Sequence, residues 1–174
     1  MVISKPLYSV DQIQRRVKAL GETISKDYRD SKELLVIGLL KGAFMFTSDL
    51  VRNINVPMIV DFITVSSYVK TSTSGIINVV CDIKENVEGK DVLLVEDIVD
   101  TGLTLSHVKE KLLESGVRSL KICALLNKKG RREVDVPIDY LGFDIPDEFV
   151  VGYGLDYENR FRNLPYIAIF KKEK

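Results

Sequence analysis

Val92-Leu93-Leu94-Val95-Glu96-Asp97-Ile98-Val99-Asp100-Thr101-Gly102-Leu103-Thr104 is the stretch from which the rest of the chain can be read. Its first four residues are apolar without alternation, the pattern of a strand buried on both faces of a sheet. Two adjacent carboxylates follow, then a third, then a Thr-Gly-x-Thr turn that opens a helix. That helix, from about Thr104 to Ser115, carries Leu105, Val108, Leu112 and Leu113 on one side and stops at Gly116. Leu120–Leu126 is the next strand. Strand–helix–strand succession implies parallel pairing.

Upstream the alternation continues. Val10, Ile13, Val17, Leu20 and Ile24 fall at helical spacing behind Ser9, an N-cap with Gln12 three residues on. Leu34–Leu40 is a compact apolar run ended by Lys41-Gly42, read as a buried strand, and Ala43–Ile54 resumes helical spacing. Pro57–Val65 and Ile76–Ile83 are β-branched and strand-like. Between them, six of the eleven residues of Ser66–Ile76 are Ser or Thr, too little to bury, so a mobile loop is expected. Roughly the last forty residues read as short strands and turns closing over the sheet. The fold class is α/β: a parallel-rich central sheet flanked by helices on both faces.

Composition narrows the function. The 174 residues make about one domain. Lys+Arg and Asp+Glu both number 25, so a whole-surface electrostatic nucleic-acid binder is excluded. No apolar run approaches the roughly 18 residues of a membrane span, and the N-terminus lacks a signal-peptide pattern. Cys81 and Cys123 each lie in an apolar run where a buried thiol fits, and two are too few for a disulfide framework or an all-cysteine zinc site. A cytoplasmic protein is expected.

In open α/β sheets ligands bind beyond the carboxyl ends of the strands, where the acids and the turn stand. Two hydroxyls, a glycine and free N–H groups at a helix N-terminus suit phosphate. Three carboxylates would repel it unless something neutral or cationic lies between. Ribose hydroxyls can donate to Glu96 and Asp97, and Mg2+ accepts hard oxygen ligands. A phosphorylated ribose carrying pyrophosphate meets all these requirements. No Walker loop, Gly-x-Gly-x-x-Gly turn or EF-hand loop occurs, and too few residues follow Asp97 for a receiver domain. The plain structural alternative is an acidic patch favoured by the helix dipole.

The 92–104 stretch resembles the phosphoribosyl-pyrophosphate motif of type I phosphoribosyltransferases. Phe149-Val150-Val151-Gly152-Tyr153-Gly154-Leu155-Asp156-Tyr157 is similar to a string in the hypoxanthine(-guanine) branch of that family, and the likeness runs over roughly residues 7–170. It implies a single phosphoribosyltransferase domain over 1–174, with a flexible lid at about 66–76. It also implies a purine-binding hood drawn mainly from 128–174 and the N-terminal segment. Glu96 and Asp97 then contact the ribose, directly or through Mg2+, and Asp100 is the general base. Asp100, Thr101, Gly102, Leu103 and Thr104 form the phosphate loop. Lys41, Gly42 and Arg162 meet pyrophosphate, and Ser67-Tyr68 is the lid's Ser-Tyr pair. Phe149 stacks on the base, the Val150 backbone reads its edge, and Lys128 donates to the exocyclic 6-oxygen. Asp156 joins Glu96 and Asp97 as a metal residue. His107, the only histidine, is assigned an exposed or packing role.

The implied partners are phosphoribosyl pyrophosphate and a 6-oxopurine, with no nucleic acid and no membrane, and the implied assembly is a homodimer or homotetramer. Two alternatives keep the fold. One is an enzyme preferring xanthine. The other is a nucleic-acid-binding regulator using the basic cluster Lys128-Lys129-Gly130-Arg131-Arg132.

Overall fold

The two apolar runs without alternation become the two innermost strands. A computed structural model describes residues 2–68 and 76–171, apart from the side chains of 2–3, 66–68 and 76–80. In it β2 (Leu34–Leu40) lies parallel to β5 (Asp91–Val99), Leu34 opposite Asp91 and Gly38 opposite Val95. β3 (Met58–Tyr68) flanks β2, and β6 (Ser119–Asn127) flanks β5, both parallel. β7 (Tyr140–Asp144) continues the parallel set beyond β6, and β4 (Ile76–Cys81) adds an antiparallel edge beside β3. The order is β4-β3-β2-β5-β6-β7.

Alternate residues of a strand face opposite sides, and the helices divide accordingly. α1 (Val10–Asp27) and α2 (Phe44–Val51) cover one face, where Ile13, Val17, Ile24, Phe46 and Leu50 pack with Leu34, Val36, Leu93 and Val95. α3 (Leu103–Glu114) covers the other, where Leu105, Val108 and Leu112 pack with Leu35, Ile37, Val92 and Leu94. The expected capping box is present: the Ser9 hydroxyl accepts from the Gln12 N–H, and the Gln12 side chain accepts from the Ser9 N–H. No helix among the described residues is long and apolar enough to cross a membrane.

Several sequence expectations are corrected. α2 ends at Val51, yet Ile54 still reaches the core from the turn that follows. Leu113 does not share the buried side of α3; it is 51% exposed. Cys123 is buried but Cys81, the last residue of an edge strand, is exposed. The first and last segments do form a small second sheet, with β1 (Val2–Tyr8), β9 (Ile167–Lys171) and β8 (Val150–Val151) in the order β1-β9-β8. Tyr140–Asp144, placed with the hood by sequence, belongs instead to the main sheet. Most of the lid segment, 69–75, lies outside the described residues; its described ends are strand, Tyr68 opposite Ile76.

At the opposite end of β5 from the acids, Asp91 accepts from the Ser31 and Ser119 hydroxyls and from Arg118. The Arg118 guanidinium holds this carboxyl well below the usual carboxylate range. A depressed folded value stabilises fully above the unfolded value, about 3.9, and that stabilisation is lost progressively as pH falls from there through the folded value. Asp91→Asn is therefore expected to lose about 1–2 kcal/mol at pH 7. The gap from the parent should narrow below about pH 4, as read by urea denaturation at both pH values.

Candidate functional site

Parallel pairing carries β5 further than its apolar run, because Glu96, Ile98 and Val99 still find partners in Ala124, Leu126 and Asn127 of β6. Glu96 and Asp97 thus sit within the strand rather than after it, with their carboxyls close enough to interact and both lining one cavity. Glu96 Oε1 accepts from the Asp97 N–H at 3.0 Å, and Asp97 Oδ1 from the Ile98 N–H at 2.9 Å. Neither carboxyl forms an ion pair among the described residues. Burial, with the neighbouring acid adding to it at Glu96, raises both above the ordinary range, Glu96 strongly. The pair is short of positive charge and of hydrogen-bond donors.

Beyond the strand the chain turns at Gly102, whose φ of +86° favours glycine and whose missing Cβ leaves room for the Val134 carbonyl. α3 then starts with its first-turn N–H groups turned toward the loop. A cavity of about 170 Å³ opens here, lined by Glu96, Asp97, Asp100, Thr101, Gly102 and Thr104. Leu103 is 44% exposed and does not line it, so only its backbone is available to the loop.

A second cavity, about 240 Å³, adjoins the first along Asp97, Ile98 and Asp100. Lys128, Phe149, Val150 and Asp156 complete much of its wall. Lys128 is buried, with Nζ 3.7 Å from Asp100 Oδ2 and 3.9 Å from Asp147. The other Asp100 oxygen, Oδ1, is buried without a hydrogen-bond partner among the described residues. Phe149 is half exposed, edge-on to Tyr157 and Phe170. Val150 lies opposite Ile169 on the edge strand β8, and the Phe149 carbonyl accepts from the Phe170 N–H. By antiparallel geometry the N–H and C=O of Val150 itself then point away from β9, toward the open edge.

Lys41 and Gly42 follow β2 directly, after a cis Leu40–Lys41 peptide. A Cβ on Gly42 would overlap the Asp97 carboxylate, and one on Gly154 would overlap the Gly42 carbonyl. The loop is thus clamped between the acidic strand and the 152–154 turn. Arg162 donates to the Gly154 carbonyl at 2.6 Å and to Asp156 Oδ1 at 2.8 Å. Ser67 and Tyr68 belong to β3 by backbone, and their side chains lie outside the described residues. His107 is half-buried on α3 and lines neither cavity.

A phosphoribosyl transferase domain model matches residues 8–158. The chain is 47% identical over 171 residues to the hypoxanthine-guanine phosphoribosyltransferase of Dictyostelium discoideum, covering 96% of this chain and 95% of that one. It is 52% identical over 159 residues to the hypoxanthine phosphoribosyltransferase of Salmonella typhimurium, covering 90% and 89%. A crystal structure of a Bacillus anthracis hypoxanthine-guanine phosphoribosyltransferase superposes with a TM-score of 0.92 at 44% identity, covering 98% of this chain and 100% of that chain.

The chain belongs to the phosphoribosyltransferase family.

As a phosphoribosyltransferase it carries a donor set that fits magnesium only in part. Among the described residues no three His, Cys, Asp or Glu side chains gather into one metal-holding group. The expected trio Glu96, Asp97 and Asp156 is therefore not a preformed cage, and Asp156 is taken up by Arg162 and the Asn159 N–H. Mg2+ is commonly held by one or two carboxylates together with substrate phosphates. The under-compensated Glu96–Asp97 pair suits that arrangement.

Sequence reading missed Arg131, Leu155 and Asp147. Arg131 reaches 3.5 Å from Asp100 Oδ2, and Leu155 lines the second cavity. Arg131 is aimed by a single 3₁₀ turn, Lys129–Arg131, too short to leave a periodic signal. Within the basic cluster Lys128 is buried and Arg132 donates to Asn127, whereas Lys129, paired with Asp144 at 3.0 Å, and Arg131 remain exposed.

Proposed function

We propose that this phosphoribosyltransferase joins hypoxanthine, and also guanine, to phosphoribosyl pyrophosphate, giving IMP or GMP and pyrophosphate, in cytoplasmic purine salvage. One observation carries the reading: a phosphate-type helix cradle and a lysine- and aromatic-lined cavity meet along Asp97–Asp100. That spacing suits a nucleotide whose phosphate, sugar and base lie in sequence. The names of the relatives support the base class.

In this reading Thr101–Thr104 bind the 5′-phosphate through backbone N–H groups and hydroxyls. Glu96 and Asp97 accept from the ribose hydroxyls. Asp100 Oδ1, without a partner among the described residues, takes the proton that the attacking purine nitrogen must lose. Lys41, the Gly42 backbone and Arg162 hold the departing pyrophosphate, which requires Arg162 to exchange Asp156 for the ligand. Bound Mg2+ supplies charge stabilisation for the leaving group. Ser67 and Tyr68 close over the site, excluding water from an electron-poor sugar. Assembly as a homodimer or homotetramer rests on the resemblance alone, and sedimentation reads it.

Phe149 packs against the base, the free Val150 backbone groups read its edge, and Lys128 donates to the 6-oxygen. An adenine amino group would face the buried ammonium donor to donor, leaving it unsatisfied. A labelled purine panel with phosphoribosyl pyrophosphate, with and without Mg2+, is expected to show metal-dependent turnover of hypoxanthine and guanine and little of adenine. Turnover of xanthine alone, or none of any purine, would overturn the reading. Lys128→Ala is expected to reduce the hypoxanthine-over-adenine preference about 10- to 100-fold. An unchanged ratio would remove Lys128 from base selection.

A further inference from the structure

The two carbonyls that bracket Asp100 are both held by one downstream segment. The Val99 carbonyl accepts from the Lys128 N–H at 2.9 Å, and the Thr101 carbonyl accepts from the Glu133 and Val134 N–H groups at 2.9 and 3.0 Å. Of that segment's side chains, Arg132 is the one that reaches this backbone: its Nη2 lies 3.4 Å from the Val99 carbonyl. The same nitrogen donates to the side-chain oxygen of Asn127, the residue before Lys128. Asn127 is buried and passes a hydrogen bond to Asp144 at 2.7 Å, and Asp144 also pairs with Lys129. One guanidinium thus touches the backbone beside Asp100 and the side chain beside Lys128. Its stem also packs near Gly102 of the phosphate loop.

We propose that Arg132 is a positioning residue that sets Asp100 against Lys128, tying the proton acceptor to the base-selecting lysine. The inference rests on the function proposed above. Arg132 itself lines neither of the two substrate cavities; it lines a separate cavity of about 400 Å³ with Asn127, Val136 and Leu141. It acts through the two loops it joins. Lysine cannot replace it well, because a strongly hydrated ammonium on a flexible stem is not held in place as the planar guanidinium is, whose Nη2 sits between both acceptors. A misplacement of about 1 Å between reacting groups can lower turnover about 100-fold.

The test uses Arg132→Ala and Arg132→Lys in the full chain, with melting followed by circular dichroism. Arg132→Ala is expected to lower kcat for hypoxanthine about 10- to 100-fold and to weaken the preference over adenine. Guanidinium below denaturing concentration, entering by the separate cavity, is expected to restore part of both, and methylammonium much less. Asn127→Ala should reproduce part of the loss and add little to it in the double variant, as coupled residues do. If Arg132→Ala does not fold, Arg132→Lys carries the same two readouts. Unchanged kcat and base preference in a folded variant would overturn the proposal. So would equal losses on both bases with no guanidinium rescue, the mark of a structural role alone. The parent enzyme's turnover in the same assay judges the proposed function separately.

Discussion

Asp100→Asn is expected to lower kcat with hypoxanthine by about 100- to 10,000-fold, the range for removing a general base, while phosphoribosyl pyrophosphate binds nearly as before. The substitution keeps shape and polarity but removes proton acceptance. Asp100 Oδ2 lies near Lys128 and Arg131, and an amide oxygen can still face those cations. Oδ1 is buried without a partner among the described residues, so hydrogen bonds to them are not what the variant loses. Steady-state kinetics together with calorimetric titration of phosphoribosyl pyrophosphate separates the two quantities. Equal losses in turnover and binding would assign Asp100 to binding instead.

Gly42→Ala is expected to lower kcat/KM for phosphoribosyl pyrophosphate about 100-fold, the scale set by displacement of about 1 Å at a reacting centre. The added methyl overlaps the Asp97 carboxylate on one side of a loop whose other side is closed by Gly154. The side chains around it cannot yield cheaply, since Asp97 is tied to the Ile98 N–H and Gly154 to Arg162. Either the acid or the loop must move. The effect should fall mainly on the sugar-pyrophosphate and much less on the purine KM, because neither Lys41 nor Gly42 lines the base cavity, whose one shared residue is Asp97. A larger change in the purine KM would place the loop elsewhere in the reaction.

The Glu96–Asp97 pair explains why the site is costly to maintain without its guest. A buried and a partly buried carboxyl side by side, with no ion pair among the described residues, are destabilising. Their need for donors and positive charge is what a ribose diol and a divalent ion supply.

The central sheet was legible because its strands are buried on both faces. Leu34–Leu40 and Val92–Val95 have no alternation, and no surface requirement blurs their pattern. The extension of β5 through Val99 was not legible: polar residues ended the apolar run while the β6 ladder continued. α2 was overextended because Ile54 keeps the helical spacing of buried residues from a non-helical turn. β7 was misplaced for a different reason. A five-residue strand carries no mark of which sheet it joins, and that choice rests on contacts such as Arg16 with the Gly142 carbonyl and Tyr8 stacked on Phe143. At the site, the acids and the turn could be read from residue chemistry alone. The inward aim of Arg131 and the bracing by Arg132 depend on a single 3₁₀ turn and on backbone carbonyls, which side-chain patterns do not encode.

The most direct measurement is a crystal structure with IMP bound. The ribose hydroxyls are expected within hydrogen-bonding distance of Glu96 and Asp97, with the phosphate on Thr101–Thr104 and the base between Phe149 and Lys128. A sugar seated away from Glu96 and Asp97 would contradict the account.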